Sequence, residues 1–149
     1  MAKNIILAFL ILLLLVIIYL IFFNRPPVET LKIDIKGKTY NLEIAKTIPQ
    51  KMQGLMNRNH LCPDCGMIFI SPIDTPQSFW MKNTFIPLDM IFVNLKGEVV
   101  NILTAEAEAK DENGAYKFFQ SSSPAAYVIE LNAGDASKLK LIPGDVIKL

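Results

Sequence analysis

Two short stretches hold the residue types that could do chemistry. The first is "HLCPDC", with His60, Cys62 and Cys65, the only His and the only two Cys of the chain. Three chemistries suit this spacing. Two cysteines three positions apart can close a disulfide across a tight turn, which fits a domain that meets oxidising conditions. A C-x-x-C pair can also serve a thiol oxidoreductase when a helix N-terminus lowers one thiol pKa. Here a helical pattern precedes the pair and a strand pattern follows it, so that dipole argument is missing. Finally, His60, Cys62 and Cys65 could hold zinc with a fourth ligand from Asp64, water or a second chain, although structural zinc generally takes four protein ligands. The disulfide between Cys62 and Cys65 is the leading expectation. No cofactor is expected, zinc being the one weak candidate, and no C-x-x-C-H run calls for covalent haem.

The second stretch is "FWMKNTFIPLD", from Phe79 to Asp89. Read as a strand, it points Phe79, Met81, Asn83 and Phe85 to one face and Ser78, Trp80, Lys82 and Thr84 to the other. One face is then mostly apolar, and the other presents an indole, an ammonium and two hydroxyls. Trp80 and Lys82 become same-face neighbours, so the lysine can lie along the ring. Asp89 follows in the apolar run "LDMIFV". A carboxylate there must find donors or suffer a raised pKa, and Lys82, Asn83 and Thr84 are the nearest in sequence. These groups either hold a corner together or converge on a pocket.

The strings "GLMNR", "GMIFI", "FWMKNTFIPLDMIFV", "YVIELNAG" and "PGDVI" occur in this order. In them the chain, from about Leu31 to Leu149, resembles the domain-of-unknown-function family numbered 192. The resemblance implies a compact β-rich domain, often exported or membrane-anchored, with no established activity. The "CPDC" insert departs from the family pattern. Arg58, Lys82, Asp89 and Glu130 are the charged members of the shared strings. If Asp89 and Glu130 face one cavity, they could bind a sugar or a cationic group. Paired with Arg58 and Lys82, they would instead be buried structural ions.

The elements that must position these groups are mostly strands. "LKIDIK" alternates, "GK" turns the chain, and Tyr40, Leu42 and Ile44 continue the period of two, as in a β-hairpin. At Thr47 the period changes. Thr47 with Gln50 fits a capping box and Pro49 suits a first helical turn, so a helix is expected over residues 48–57, with Met52 and Met56 filling core. "GMIFI", "QSFWMKNT", "LDMIFVN", "VVNILTAEAEA", "AAYVIEL" and the end of "IPGDVIKL" read as further strands. "AGDASKLKL" reads as a second short helix, and Pro143-Gly144 as a type II turn. No strand–helix alternation calls for a parallel sheet. The expected fold class is mainly β (α+β): a small antiparallel barrel or sandwich with two short helices, preceded by one N-terminal transmembrane helix.

That helix is the apolar run from Ile5 to Phe23, about 28 Å long against a hydrocarbon layer of ~30 Å. Most of its residues each favour insertion by roughly 0.3 to 0.6 kcal/mol. A cleaved signal peptide would have a shorter apolar core and a small-residue cleavage site, whereas "FFNRPPVET" follows here. Tyr19, Phe22 and Phe23 suit the interface. Lys3 favours an inside N-terminus and Arg25 opposes it, but folded domains translocate largely regardless of charge. We expect residues 1–25 to be the anchor, 26–30 a Pro-stiffened linker and 31–149 a single β-rich domain. The chain is then a single-pass protein of the cell membrane with its domain outside the cytoplasm.

Of the 15 Lys and Arg residues, 13 lie beyond Arg25, where they meet 14 Asp and Glu, a net charge near −1 with no basic run. Nucleic acid, bound by neutralising phosphates, is not an expected partner. The leading functional expectation is a membrane-anchored binding or accessory module for an unknown small-molecule, glycan or protein partner. Its candidate binding residues are Arg58, Trp80, Lys82, Asn83, Asp89 and Glu130. The alternatives are an enzyme and a structural scaffold. The enzyme would be a thiol oxidoreductase through Cys62 and Cys65 or a carboxylate hydrolase through Asp89 and Glu130. For a hydrolase of the glycosidase type the two carboxyl groups must lie within ~10 Å of each other.

Overall fold

The computed structural model describes residues 2–23 and 28–149, and within its first helix the side chains of residues 6, 7 and 9–19. That helix, α1, runs Ala2–Phe23. Its described side chains, from Ile6 to Tyr19, are exposed. Among the described residues no helix is long and apolar enough to cross a membrane. The continuous stretch of described side chains in α1, residues 9–19, reaches only about 16 Å. The side chains of Lys3, Phe22 and Phe23, together with Arg25 and the linker prolines, lie outside the described residues.

The first hairpin forms as its alternation predicts. β1 (Thr30–Ile35) pairs antiparallel with β2 (Lys38–Ala45). Lys36 and Gly37 both take positive φ, 51° and 84°, as a two-residue turn matched to the strand twist requires. The next element, α2 (Ile48–Gln53), opens on the expected capping box, with Gln50 accepting from the Thr47 N–H at 3.0 Å. It stops four positions short of Asn57 because Gly54 takes a φ of 46° and turns the chain inward. Leu55 is thereby buried, while Met52 stays 70% exposed and Met56 is half-buried, so neither of the expected methionine pair joins the core.

β3 (Cys65–Thr75) then lies parallel to β2, with Asn41 opposite Cys65. The segment carrying α2 and the disulfide loop is long enough for a parallel crossover, which its single short helix did not announce. β4 (Ser78–Trp80), β5 (Leu88–Val93), β6 (Val99–Ala105), β7 (Phe118–Gln120) and β8 (Ala125–Asn132) follow, and then α3 (Asp135–Lys138). Six strands make one mixed sheet in the order β1-β2-β3-β8-β5-β6; β4 and β7 make a separate two-stranded ribbon.

The expected barrel or sandwich is corrected by this order. β1 and β6 end the sheet without pairing to each other, so it stays open. Two strand expectations also change. "QSFWMKNT" is strand only as far as Trp80, because Asn83 turns at a φ of 52°. "DVIKL" keeps only a bridge between Glu98 and Val146. The turn before it holds, with Gly144 at a φ of 93° and the Asp145 N–H donating to the Ile142 carbonyl at 3.2 Å.

The sheet is buried on both faces, which is why all of β5 is apolar except Asp89. One face packs Ile68, Ile91, Ile129 and Leu131 beneath α3, Leu141 and Ile147. The other packs Met67, Phe69, Met90, Phe92 and Val128 beneath Leu55, Met81 and the ribbon. Asp89 belongs to the first face. Its carboxylate accepts the Thr104 hydroxyl at 2.7 Å and the Ala136 N–H at 2.9 Å, holding α3 to the sheet. Neither partner is among the sequence neighbours expected to satisfy it. Replacing Asp89 with Ala leaves both donors unpaired and is expected to cost about 2–4 kcal/mol. Urea unfolding of the full chain in detergent micelles checks this; an unchanged midpoint would remove Asp89 from that role.

Candidate functional site

Strand alternation decides which of the candidate residues can meet. In β8, Ile129 and Leu131 point to the α3 face, so Glu130 points to the opposite one. Glu130 lies opposite Met67 of β3 and Met90 of β5, whereas Asp89 lies opposite Leu131. The sheet therefore separates Asp89 from Glu130, and the expectation that they could share one cavity is corrected: a one-residue offset sends the two side chains to opposite faces. They do not form a hydrolase pair.

Arg58 is also engaged elsewhere. Its guanidinium makes a two-pronged ion pair with Glu43, at 2.5 and 2.6 Å, and this carboxylate holds the Arg58 pKa above its ordinary value. The pair lines a groove of about 440 Å³ beside His60 and the cysteine loop. Cys62 and Cys65 are joined as a disulfide, as expected, with Cα atoms 5.1 Å apart. Both candidate sulfur ligands are thereby consumed. Among the described residues no three His, Cys, Asp or Glu side chains are grouped to hold a metal.

Trp80 and Lys82 do meet. The ammonium stands 5.3 Å from the centre of the indole ring. The alternation expected through Thr84 fails, however, because Met81 and Thr84 are both buried and Phe85 is exposed. Asn83 acts through its backbone, accepting the Asn57 N–H at 2.7 Å, and the Thr84 carbonyl accepts the Glu108 N–H at 2.9 Å. The segment after Trp80 is thus a corner tied to two neighbouring loops.

The ribbon brings in residues that the sequence reading missed. Phe79 lies opposite Phe119 and Trp80 opposite Phe118. Phe79 packs edge-on against Phe69 at 4.8 Å and Phe92 at 6.2 Å, pinning the ribbon to the sheet. By alternation Trp80 and Phe118 turn outward. Their rings stack at 6.0 Å, and Tyr116 meets Trp80 edge-on at 6.3 Å. This makes an exposed aromatic ledge, with Trp80 42% and Phe118 62% accessible. "KFFQ" alternates too briefly to stand out beside longer strands; its two adjacent Phe residues were the available signal.

Under the ledge is a cleft of about 30 Å³, lined by Trp80, Phe79, Phe69, Met52, Thr84 and Glu130 among others. Glu130 is 4% exposed and, among the described residues, makes no side-chain hydrogen bond or ion pair. Among the described residues no side-chain oxygen is both fully enclosed and unpartnered, so its carboxyl opens onto the cleft. Burial pushes its pKa up to about 8.

A ribbon-covered mixed sheet with a solitary carboxyl beneath an exposed indole defines a small β-rich domain of no assigned activity. The chain belongs to DUF192, the family described as "Uncharacterized ACR", whose model matches residues 30–149. It is similar to the crystal structure of a Sinorhizobium meliloti protein whose label as a transcription regulator is provisional. That match has 34% identity and a TM-score of 0.72 over 84% of this chain and 97% of the other. A Novosphingobium aromaticivorans protein of unknown function is similar at 33% identity and a TM-score of 0.66, over 82% of this chain and 85% of the other. No curated protein matches the chain.

The raised pKa of Glu130 has a definite sign. Between its ordinary value near 4.5 and about 8, the folded chain holds a proton that the unfolded chain has released. The stability this supplies is complete below pH 4.5 and is lost as the pH rises through 8. Urea unfolding in micelles is expected to show the native chain weakening from pH 5 to pH 8, with the Glu130→Gln chain free of that decline. Parallel pH profiles for the two chains would contradict the assignment.

Proposed function

We propose that this chain is a membrane-tethered binding or accessory module, without catalysis of its own, that receives its ligand across the Trp80–Phe118 ledge. The ledge carries the reading. It is an exposed, stacked pair of rings whose neighbours along the two strands, Phe79 and Phe119, face the core. Rigid aromatic faces lose little conformational freedom on binding and shed water readily, so they suit the faces of sugars or the apolar side chains of a peptide. Lys82 beside Trp80 adds a donor, and Tyr116 extends the surface.

The enzymatic alternatives have less support. Cys62 and Cys65 sit in a turn that leads into β3, where no helix N-terminus lowers a thiol pKa. Asp89 and Glu130 lie on opposite faces of the sheet. A scaffold role draws support from the loop ties at Asn83 and Thr84, which need no ligand. The transcription-regulator label of the Sinorhizobium relative gains no support from a basic surface, because the domain's net charge is near zero and it has no basic run.

In this reading residues 1–25 are the anchor, 26–30 the linker and 31–149 the binding domain, held outside the cytoplasm. Support comes from α1, whose described side chains are apolar around the whole helix and exposed. Alkaline carbonate extraction should leave the full chain with the membranes, and protease added outside spheroplasts should digest the domain. Release into the soluble fraction would overturn the tether, and protection from the protease would overturn the orientation.

Trp80 is the chain's only Trp, so its emission reports on the ledge directly. Titration of the full chain in nanodiscs with oligosaccharides and short peptides should shift that emission for one class. Phe118→Ala should weaken the response about tenfold, in line with the ~1–3 kcal/mol of one aromatic contact. A flat response to the whole panel would sink the binding reading.

A further inference from the structure

We propose that the cleft beneath Trp80 seats a primary ammonium group, the head of a lysine side chain or a peptide N-terminus, between the Glu130 carboxyl and the Trp80 ring. This rests on the binding-module reading and names the chemistry that the ledge delivers.

Four observations converge on it. Glu130 is nine-tenths buried and opens onto the cleft without a partner among the described residues. An unpaired carboxyl in an apolar wall is costly, and a cation entering the cleft would remove that cost. The walls suit a cation: Trp80, Phe79 and Phe69 offer rings, and Met52 offers a polarisable thioether. The Thr84 hydroxyl donates to the Lys82 carbonyl at 3.3 Å, so its oxygen can still accept.

No cation of the domain takes this place. Lys51 of α2 lines the cleft, but its ammonium donates to the Ser71 hydroxyl at 3.1 Å. Lys82 stands by the Trp80 ring, and Arg58 is paired with Glu43. The strand neighbours of Glu130 are Met67 and Met90, and Glu108 accepts the Tyr116 hydroxyl at 3.4 Å. Size narrows the ligand further. A cleft of about 30 Å³ has room for roughly two water-sized groups, enough for –NH3+ and its methylene but not for a trimethylammonium or a sugar ring. The remainder of the ligand would lie on the ledge.

Uptake is linked to a proton. With its pKa at about 8, the Glu130 carboxyl of the empty cleft is mostly neutral at pH 7. An arriving ammonium stabilises the carboxylate, so one proton leaves as the cation enters. Affinity then rises roughly tenfold per pH unit below the carboxyl pKa and levels off above it.

The test uses the full chain in nanodiscs, followed by Trp80 emission and calorimetry. The probes are Nα-acetyl-lysine methylamide, its Nε-acetyl and Nε-trimethyl forms, and alanine amide. We expect the lysine derivative to bind about 50-fold more tightly at pH 8 than at pH 6, with a buffer-dependent heat that reports the released proton. The acetyl and trimethyl forms should bind at least tenfold more weakly. Glu130→Gln should lose the amine response while keeping any response of the ledge to uncharged ligands. Binding of the lysine derivative alone assigns a side chain, and of alanine amide alone a chain terminus. Equal binding at the two pH values, equal binding by Glu130→Gln, or silence towards both amines while an uncharged ligand still binds the ledge would overturn this proposal and leave the module reading standing. Silence towards every ligand would overturn both.

Discussion

The structure depends on β8 lying between β3 and β5. Both neighbours run antiparallel to it, and its residues from Val128 to Leu131 have a partner on each side. The contact with β3 is so close that a Cβ on Gly66 would lie 2.5 Å from the Glu130 carbonyl oxygen. Central placement makes β8 a strand with two buried faces, and so its one acidic residue has nowhere wet to point. Leu131 and Ile129 fill the face under α3, while Glu130 projects into a row of methionines on the other. The lone carboxyl is therefore a consequence of sheet order, not of any local motif.

The second layer encloses this feature in a cleft. Phe79 and Phe119 pin the ribbon to the sheet, and strand alternation obliges Trp80 and Phe118 to face outward. The corner that follows, tied at Asn83 and Thr84 to neighbouring loops, holds Thr84 and Trp80 over Glu130. The polar groups of "FWMKNTFIPLD" thus divide by task. Asp89 clamps α3 on the far face, Asn83 and Thr84 brace the corner with their backbones, and Trp80 with Lys82 presents a surface. Arg58, the other charged candidate, stays with Glu43. Of the candidate groups, the aromatic ledge stays exposed and the carboxyl beneath it unpaired.

Local patterns were legible where the physics is local. The alternation of "LKIDIK" and the Thr47–Gln50 capping box are each decided within a few residues and each formed as read, while the turn read at Gly37–Lys38 lies one residue earlier, at Lys36–Gly37. The Cys62–Cys65 bridge was equally accessible, since three positions across a turn bring the sulfurs together. Reading failed where a single Gly or Asn departs from its neighbours' conformation. Gly54 ended α2 early, and Asn83 stopped a strand whose alternation of residue types continues to Phe85. β7 was overlooked because three residues carry too little periodicity to register against a polar loop.

By itself the sequence determined the apolar N-terminal run, the mainly β character of the rest, the first hairpin, the helix cap, the disulfide and the Trp80–Lys82 contact. These follow from periodicity, composition and short-range bonding, all of which act between near neighbours along the chain. Only the tertiary structure decided that the sheet stays open, that β2 and β3 run parallel and that Asp89 and Glu130 part company. It alone assembled Trp80, Phe118 and Glu130 around one cleft. Those outcomes depend on which strands become neighbours and in what register. Register is set by packing between segments far apart in sequence, where a shift of one residue exchanges the faces of a strand.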